Sequence, residues 1–286
     1  MPRLLIAGCG YLGQAVAELF LAANWEVEGW TISPESAGQL STKPYLVRSV
    51  DISKRKDVRA KAENFDAVIH SASTRGGNAA AYRHVYLEGA KNLLQRFGGS
   101  RMLFVSSTTV YPQKAGESVT ETSLAEPRHE TGKILREAEN LVLASRGIVS
   151  RLAGIYGPGR SSLLRKFLSG QAVIDPQNDR FVNQIHRDDA AAAIQLLSHN
   201  GAASQIYNVV DDAPILQNEC YQWLAAKLNR PVPPVGRSAL KARKRGESNK
   251  RVSNAKLRAL GWTPRYPSFA DGMEKSVLSS FNLEAI

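Results

Sequence analysis

Leu4-Leu5-Ile6-Ala7-Gly8-Cys9-Gly10-Tyr11-Leu12-Gly13 is the stretch that decides the fold. Its four leading apolar residues have the length of a buried parallel strand. The glycines that follow are spaced G-x-G-x-x-G, and Gln14 to Ala23 continues as an Ala/Leu-rich helical pattern. Strand, glycine turn and helix in that order give the spacing its meaning, because each glycine then has its own task. Gly8 permits a tight turn, Gly10 lets the backbone approach a pyrophosphate, and Gly13 lets helix and strand pack closely. The helix start, from Tyr11 and Leu12 onward, offers free N–H groups and a positive dipole end to phosphates. A dinucleotide is therefore the expected ligand.

Outward from this turn the pattern alternates. Trp25–Ile32 and Tyr45–Val50 read as further strands, the second ending at Asp51, and a charged helix is expected from about Lys54 to Glu63. Asp66–His70 reads as a strand opening onto Ser71-Ala72-Ser73-Thr74, followed by a long helix Ala79–Phe97 and a strand Arg101–Ser106. Helix-length segments between short apolar runs imply parallel strands joined by right-handed crossovers. The ligand then lies at the carboxyl ends of the strands. Later segments read as a basic helix Gly159–Gly170, a strand Phe181–Ile185, a helix Ala190–Leu197 and a strand Gln205–Val210.

Composition narrows the function classes. With 286 residues, 43% hydrophobic and 22% charged, the chain suits one large globular domain or one domain with a smaller cap. Its apolar runs are too short to span a bilayer, so no membrane partner is expected. The first run breaks at Gly8, before a signal-peptide core would form, which makes the cytoplasm the expected location. The two cysteines, Cys9 and Cys220, offer neither a metal site nor a disulfide framework. The formal charge is +11, densest over Arg237–Arg251. That cluster lacks interleaved aromatics, so it reads as a solvated surface or a site for a phosphorylated substrate, and nucleic acid is not expected as a partner.

From Ser106-Ser107-Thr108-Thr109-Val110-Tyr111 onward the chain resembles the extended short-chain dehydrogenases/reductases, the nucleotide-sugar epimerase and dehydratase superfamily. The resemblance continues through Arg151-Leu152-Ala153-Gly154-Ile155-Tyr156-Gly157-Pro158-Gly159, Ile185-His186-Arg187-Asp188-Asp189, Tyr207–Asp212 and the late Leu-Gly-Trp ending at Trp262. It implies an α/β fold, a Rossmann-type doubly wound parallel sheet with a small C-terminal substrate-binding cap. Residues 1–156 would form the NAD(P)-binding domain with 181–210 returning to its sheet; 157–180 and 211–286 would form the cap. It also implies a cofactor site in which Asp51 and Ile52 meet the adenine and Ser71, Ala72 and Ser73 run along the diphosphate and ribose.

The chain departs from that family at points that bear on chemistry. The first glycine gap is one residue shorter than the family's. Of its Asn, Ser/Thr, Tyr and Lys tetrad, the serine maps onto Ser107 and the lysine onto Lys133, which would hold the cofactor ribose. The tyrosine position holds His129 and the asparagine position Tyr86. The dehydratases' Asp-Glu pair is Thr108-Thr109 here, which disfavours sugar dehydration. The chain thus resembles an atypical subgroup lacking the active-site tyrosine. Imidazole is a competent acid/base near neutral pH, so His129 is the expected replacement, with Lys133 depressing its pKa. Tyr111 and Tyr156 are the other phenols near the expected cleft. His186 reads as structural, with Asp188 and Asp189 capping the helix after it.

The end of the second expected strand, Trp30-Thr31-Ile32-Ser33, has neither the carboxylate that would select NAD nor an arginine for NADP. The hydroxyls of Thr31 and Ser33 suit a 2′-phosphate, so NADP is expected ahead of NAD. In the cap, Arg160, Arg165, Lys166 and Arg180 suit a phosphorylated small-molecule substrate. Two functions remain open. One is an epimerase or reductase acting by hydride transfer on a nucleotide sugar or related molecule. The other is a catalytically impaired dinucleotide-binding regulator or scaffold. The resemblance implies a homodimer through the helices Ala79–Phe97 and Gly132–Ala144, with a monomer as the alternative.

Overall fold

Seven parallel strands organise the computed structural model, which describes residues 1–61, 63–74, 76–237 and 248–281. They are β1 (Arg3–Ala7), β2 (Glu26–Thr31), β3 (Leu46–Ser49), β4 (Ala67–His70), β5 (Arg101–Ser107), β6 (Ile148–Leu152) and β7 (Ile206–Val209). Their spatial order is β7-β6-β5-β4-β1-β2-β3. The winding reverses between β1 and β4, and that switch point places the cleft at their carboxyl ends. Leu4 to Ala7 and Ala67 to His70 are buried throughout. Helices cover both faces, so these strands are continuous apolar runs rather than alternating ones.

The strand β6 is absent from the sequence-based expectation for a physical reason. Ser150 and Arg151 interrupt its apolar run, yet every residue from Ile148 to Leu152 is buried. Arg151 is buried because Glu139 meets it with two hydrogen bonds, Nε to Oε1 at 3.1 Å and Nη2 to Oε2 at 2.8 Å. Ser106 Oγ donates to the same carboxylate at 2.5 Å, and Arg136 reaches its other oxygen. A charge compensated in this way tolerates burial that hydropathy alone would forbid.

Three helices position the site: α1 (Tyr11–Ala22), α2 (Glu130–Ala144) and α3 (Arg187–Asn200). α2 starts two residues before the expected Gly132, because His129 caps it. The expected helix Ala79–Phe97 is a continuous rod, Ala79–Tyr82 and Gly89–Arg96 with a π-helical turn Arg83–Glu88 between them. A π turn leaves a carbonyl unpaired within the helix. Here Val85 O accepts from His70 Nε2 at 3.0 Å.

A second apolar cluster, separate from the main core, draws mostly on the segments expected to form the cap, with Tyr156, Leu164, Phe167, Tyr221, Phe269 and Met273 among its members. β7 joins the main sheet and α3 packs on the main core, whereas the expected strand Phe181–Ile185 joins no strand of that sheet, although Ile185 lies in the main core. That segment divides into Phe181–Val182, paired with Ile215–Leu216, and Gln184–His186, paired with Gly154–Tyr156. Nor is all of 211–286 cap, since Val252, Leu257 and Trp262 belong to the main core. The helix expected over 54–63 is Arg55–Arg59, and the one over 159–170 is Ser162–Leu168. Most of the basic stretch Arg237–Arg251 lies outside the described residues.

Candidate functional site

The three glycines of the turn meet three different surroundings. Gly8 has φ +106°, and a Cβ there would lie 2.2 Å from Ala72 N, so only glycine fits. A Cβ on Gly13 would lie 2.5 Å from Gly8 O and 3.1 Å from Ile6 Cγ2, which is the close approach of helix to strand. At Gly10 a Cβ would meet nothing within 4 Å. Gly10 therefore faces open space at the start of α1, whose first turn has no side-chain cap. Anion-seeking N–H groups and an open backbone are what a diphosphate requires.

Of the remaining expected cofactor residues, Ser71 and Ala72 touch this turn, and Thr31 ends the neighbouring strand β2. Gly8 N and Cys9 N both donate to Trp30 O, at 3.0 and 2.9 Å, tying the turn to the end of β2. Ser71 Oγ donates to Gly8 O at 3.0 Å, and Ala72 abuts Gly8. Ser73 is exposed on the same rim. Asp51 Oδ1 accepts from Ser53 N and Ser53 Oγ, at 3.0 and 2.7 Å. Ile52 is buried beneath Gly89, its carbonyl accepting from Asn92 Nδ2 at 2.9 Å. Thr31 and Ser33 are engaged locally. Thr31 Oγ1 donates to Ser33 O at 3.3 Å, while Ser33 Oγ caps the helix Pro34–Gly38 by accepting from Ser36 N at 3.2 Å. Ile32 between them is 68% exposed.

The residues expected to be catalytic are arranged less as expected. Ser107 ends β5 with its Oγ accepting from Thr109 N at 3.3 Å, which leaves the hydroxyl proton for a ligand. Lys133 is exposed on the first turn of α2 with no hydrogen-bond or ion-pair partner among the described residues. His129 is committed. Its Nδ1 accepts from Gly132 N at 2.9 Å as the helix cap, and its ring also bonds the Thr109 backbone. The Nδ1 lone pair that a general base needs is therefore in use. Burial first, and then the charge of Lys250, holds the imidazole below its ordinary pKa. The expected influence of Lys133 is thus exerted by a different lysine.

Neither alternative phenol is available. Tyr111 is fully buried with its hydroxyl donating to Asn208 Oδ1 at 2.8 Å, and Tyr156 donates to Ser268 O at 3.2 Å inside the cap. Tyr86, at the asparagine position, places its hydroxyl 3.4 Å from Ser73 Oγ on the cleft rim. His186 is structural, but it is itself the cap of α3: its Nδ1 accepts from Asp188 N at 3.2 Å. Asp189, expected as a cap, instead accepts from Arg265 N and Tyr266 N at 2.7 and 2.9 Å.

Sequence reasoning missed two cations. Arg187 lies 5.1 Å and Arg160 5.2 Å from the centre of the Tyr11 ring, whose hydroxyl donates to Pro158 O at 3.0 Å. Both guanidiniums thus stand beside the first residue of α1. The signal for Arg187 was its place at a helix N-terminus, where a cation opposes the dipole and needs another reason to be there. Lys250 is the second, buried to 4% exposure and concealed within the basic stretch. Of the expected cap cations, Arg165 and Lys166 are exposed, while Arg180 acts electrostatically on Lys250.

Comparison with known proteins agrees with this geometry. The Escherichia coli (strain K12) protein YeeZ is 28% identical over 278 residues, covering 93% of this chain and 97% of YeeZ. A Methylobacillus flagellatus protein classed with the NAD-dependent epimerases/dehydratases superimposes with a TM-score of 0.80 at 29% identity, covering 98% of each chain. The fold is shared with Thermotoga maritima UDP-glucose 4-epimerase with UDP-glucose, at TM-score 0.83, 17% identity and complete coverage of both chains, 100% each. Residues 4–209 match the family model, and the chain belongs to the NAD dependent epimerase/dehydratase family.

Proposed function

We propose that this chain binds NAD(P) on the turn Gly8–Gly13 and exchanges hydride with a nucleotide sugar or related small molecule held beneath the cap. The observation that carries this reading is Gly10, open to the cleft between two glycines that are sterically obligatory. The α1 N–H groups would hold the diphosphate, Arg160 and Arg187 would balance its charge, and Lys133 would bond the nicotinamide ribose. Bound there, the cofactor supplies the hydride chemistry. Ser107 O–H donates to the substrate oxygen and polarises the carbonyl. The substrate class is proposed from the UDP-glucose of the Thermotoga relative's structure. NADP is the proposed preference, because Trp30-Thr31-Ile32-Ser33 at the end of β2 carries no carboxylate to repel a 2′-phosphate.

A second reading, a dinucleotide-binding protein without turnover, is favoured by the commitment of His129 to the α2 cap. Turnover separates the two. Reduced cofactor is incubated with a panel of keto and nucleotide sugars, and its oxidation is followed by absorbance. The proposal expects a rate that falls at least tenfold in Ser107→Ala. A panel with no turnover in the wild type, alongside tight cofactor binding, gives the case to the second reading.

A further inference from the structure

Among the described residues, Lys250 is a buried cation without an anionic partner. Its residue is 4% exposed, and its ammonium donates to the Tyr111 carbonyl at 3.1 Å. Two further N–H donors remain. Among the described residues no carboxylate forms an ion pair with it. Its charged neighbours, Arg180 and His129, are cationic or neutral. Burial, and then Arg180, lower its pKa to about 8. An uncompensated buried charge is expensive, and a buried lysine perturbed by desolvation is a functional-site candidate.

The backbone holds the ammonium in position. Lys250–Val252 pairs in parallel with Glu117–Val119. Asn183 clamps the strand from the other side, Nδ2 donating to Lys250 O at 2.9 Å and Oδ1 accepting from Val252 N at 2.8 Å. Tyr111, whose carbonyl receives the ammonium, closes the short helical turn Thr108–Val110 that begins at Ser107. His129 contacts that same turn at Thr109. Lys250 thus stands where this strand meets the turn that presents Ser107.

We infer that Lys250 receives an oxyanion of the substrate, a carboxylate or phosphate, beside the turn that presents Ser107. The word substrate rests on the proposed hydride-transfer function; the anion site does not. A lysine with two free donors and only a neutral carbonyl as partner matches an oxyanion in both charge and hydrogen bonding.

The test follows thermal unfolding of the full chain against inorganic phosphate, UDP and succinate, with sodium chloride as the ionic-strength control. In the wild type, at least one of the three should raise Tm by several degrees beyond the control. The phosphate and UDP arms against the succinate arm tell which oxyanion the site takes. K250M should abolish that rise and K250R should retain it; should K250M not fold, K250Q gives the same reading. No anion-specific rise in the wild type, or an undiminished rise in K250M, overturns the inference and leaves Lys250 a strap for the Tyr111 carbonyl. Titration of the same proteins with NADH and NADPH keeps the two claims apart. Failure of the wild type to bind either nucleotide defeats the hydride-transfer reading alone, whereas normal binding of one of them with an anion response indifferent to K250M defeats this inference alone.

Discussion

His129 occupies the position of the family's missing tyrosine, and the hydrogen-bond direction decides what it does there. Gly132 N–H is a donor, so Nδ1 must present its lone pair to it and the ring proton must sit on Nε2. Gly132 is packed against the ring, since a Cβ there would lie 2.6 Å from His129 Cε1. His129→Ala should therefore destabilise the fold by about 1 kcal/mol, as loss of a helix cap does, while His129→Ser should restore most of that. Denaturant unfolding of the two variants checks this. If turnover is found, His129→Ser should keep it, and a collapse of the rate in a normally stable His129→Ser protein would restore the histidine as a base. The family resemblance grouped Ser107, His129 and Lys133 as one expected site. It could not show which ring nitrogen was already occupied, because that depends on Gly132 and Thr109 in space.

Among elements, the glycine turn was the most legible and the cap the least. A turn between strand and helix is a local device, and Gly8, Gly10 and Gly13 carry its geometry in their own sequence. The strand β6 was hidden because its polar residues are neutralised by partners from elsewhere: Arg151 by Glu139 of α2, twelve positions earlier. The strand expected over Phe181–Ile185 broke in two for a related reason, each half having a different partner strand. Gly8→Ala belongs to this scale. With φ +106° and a contact of 2.2 Å to Ala72 N, it should cost more than about 2 kcal/mol and lower Tm markedly. An unchanged melting curve would show that the turn relaxes without resistance.

For the whole molecule, the parallel sheet and its cleft followed from the alternation of runs, whereas the return of Val252, Leu257 and Trp262 to the main core did not. Long-range returns of that kind leave no local pattern. Two buried histidines set the acid response. Burial lowers His70 and His186 to about 4 in the folded state, against an ordinary value of about 6.5. The unfolded chain therefore binds protons that the folded one refuses, and their stabilising contribution, present above about pH 6.5, is lost as pH falls from there to about 4. Thermal unfolding should show Tm dropping across that window, and His70→Gln should flatten part of the drop. A flat profile in the wild type would contradict the assignment.

The central claim, that a dinucleotide lies against Gly10, is tested most directly by fluorescence titration of NADH and NADPH into the wild type and Gly10→Ala. Gly10 has φ −95°, and a Cβ there would meet no atom within 4 Å, so alanine should leave Tm unchanged. The methyl would occupy the space the diphosphate needs, and affinity should fall by about tenfold or more, about 1.4 kcal/mol. Equal affinity in the two proteins, or no binding of either nucleotide to the wild type, would contradict the account.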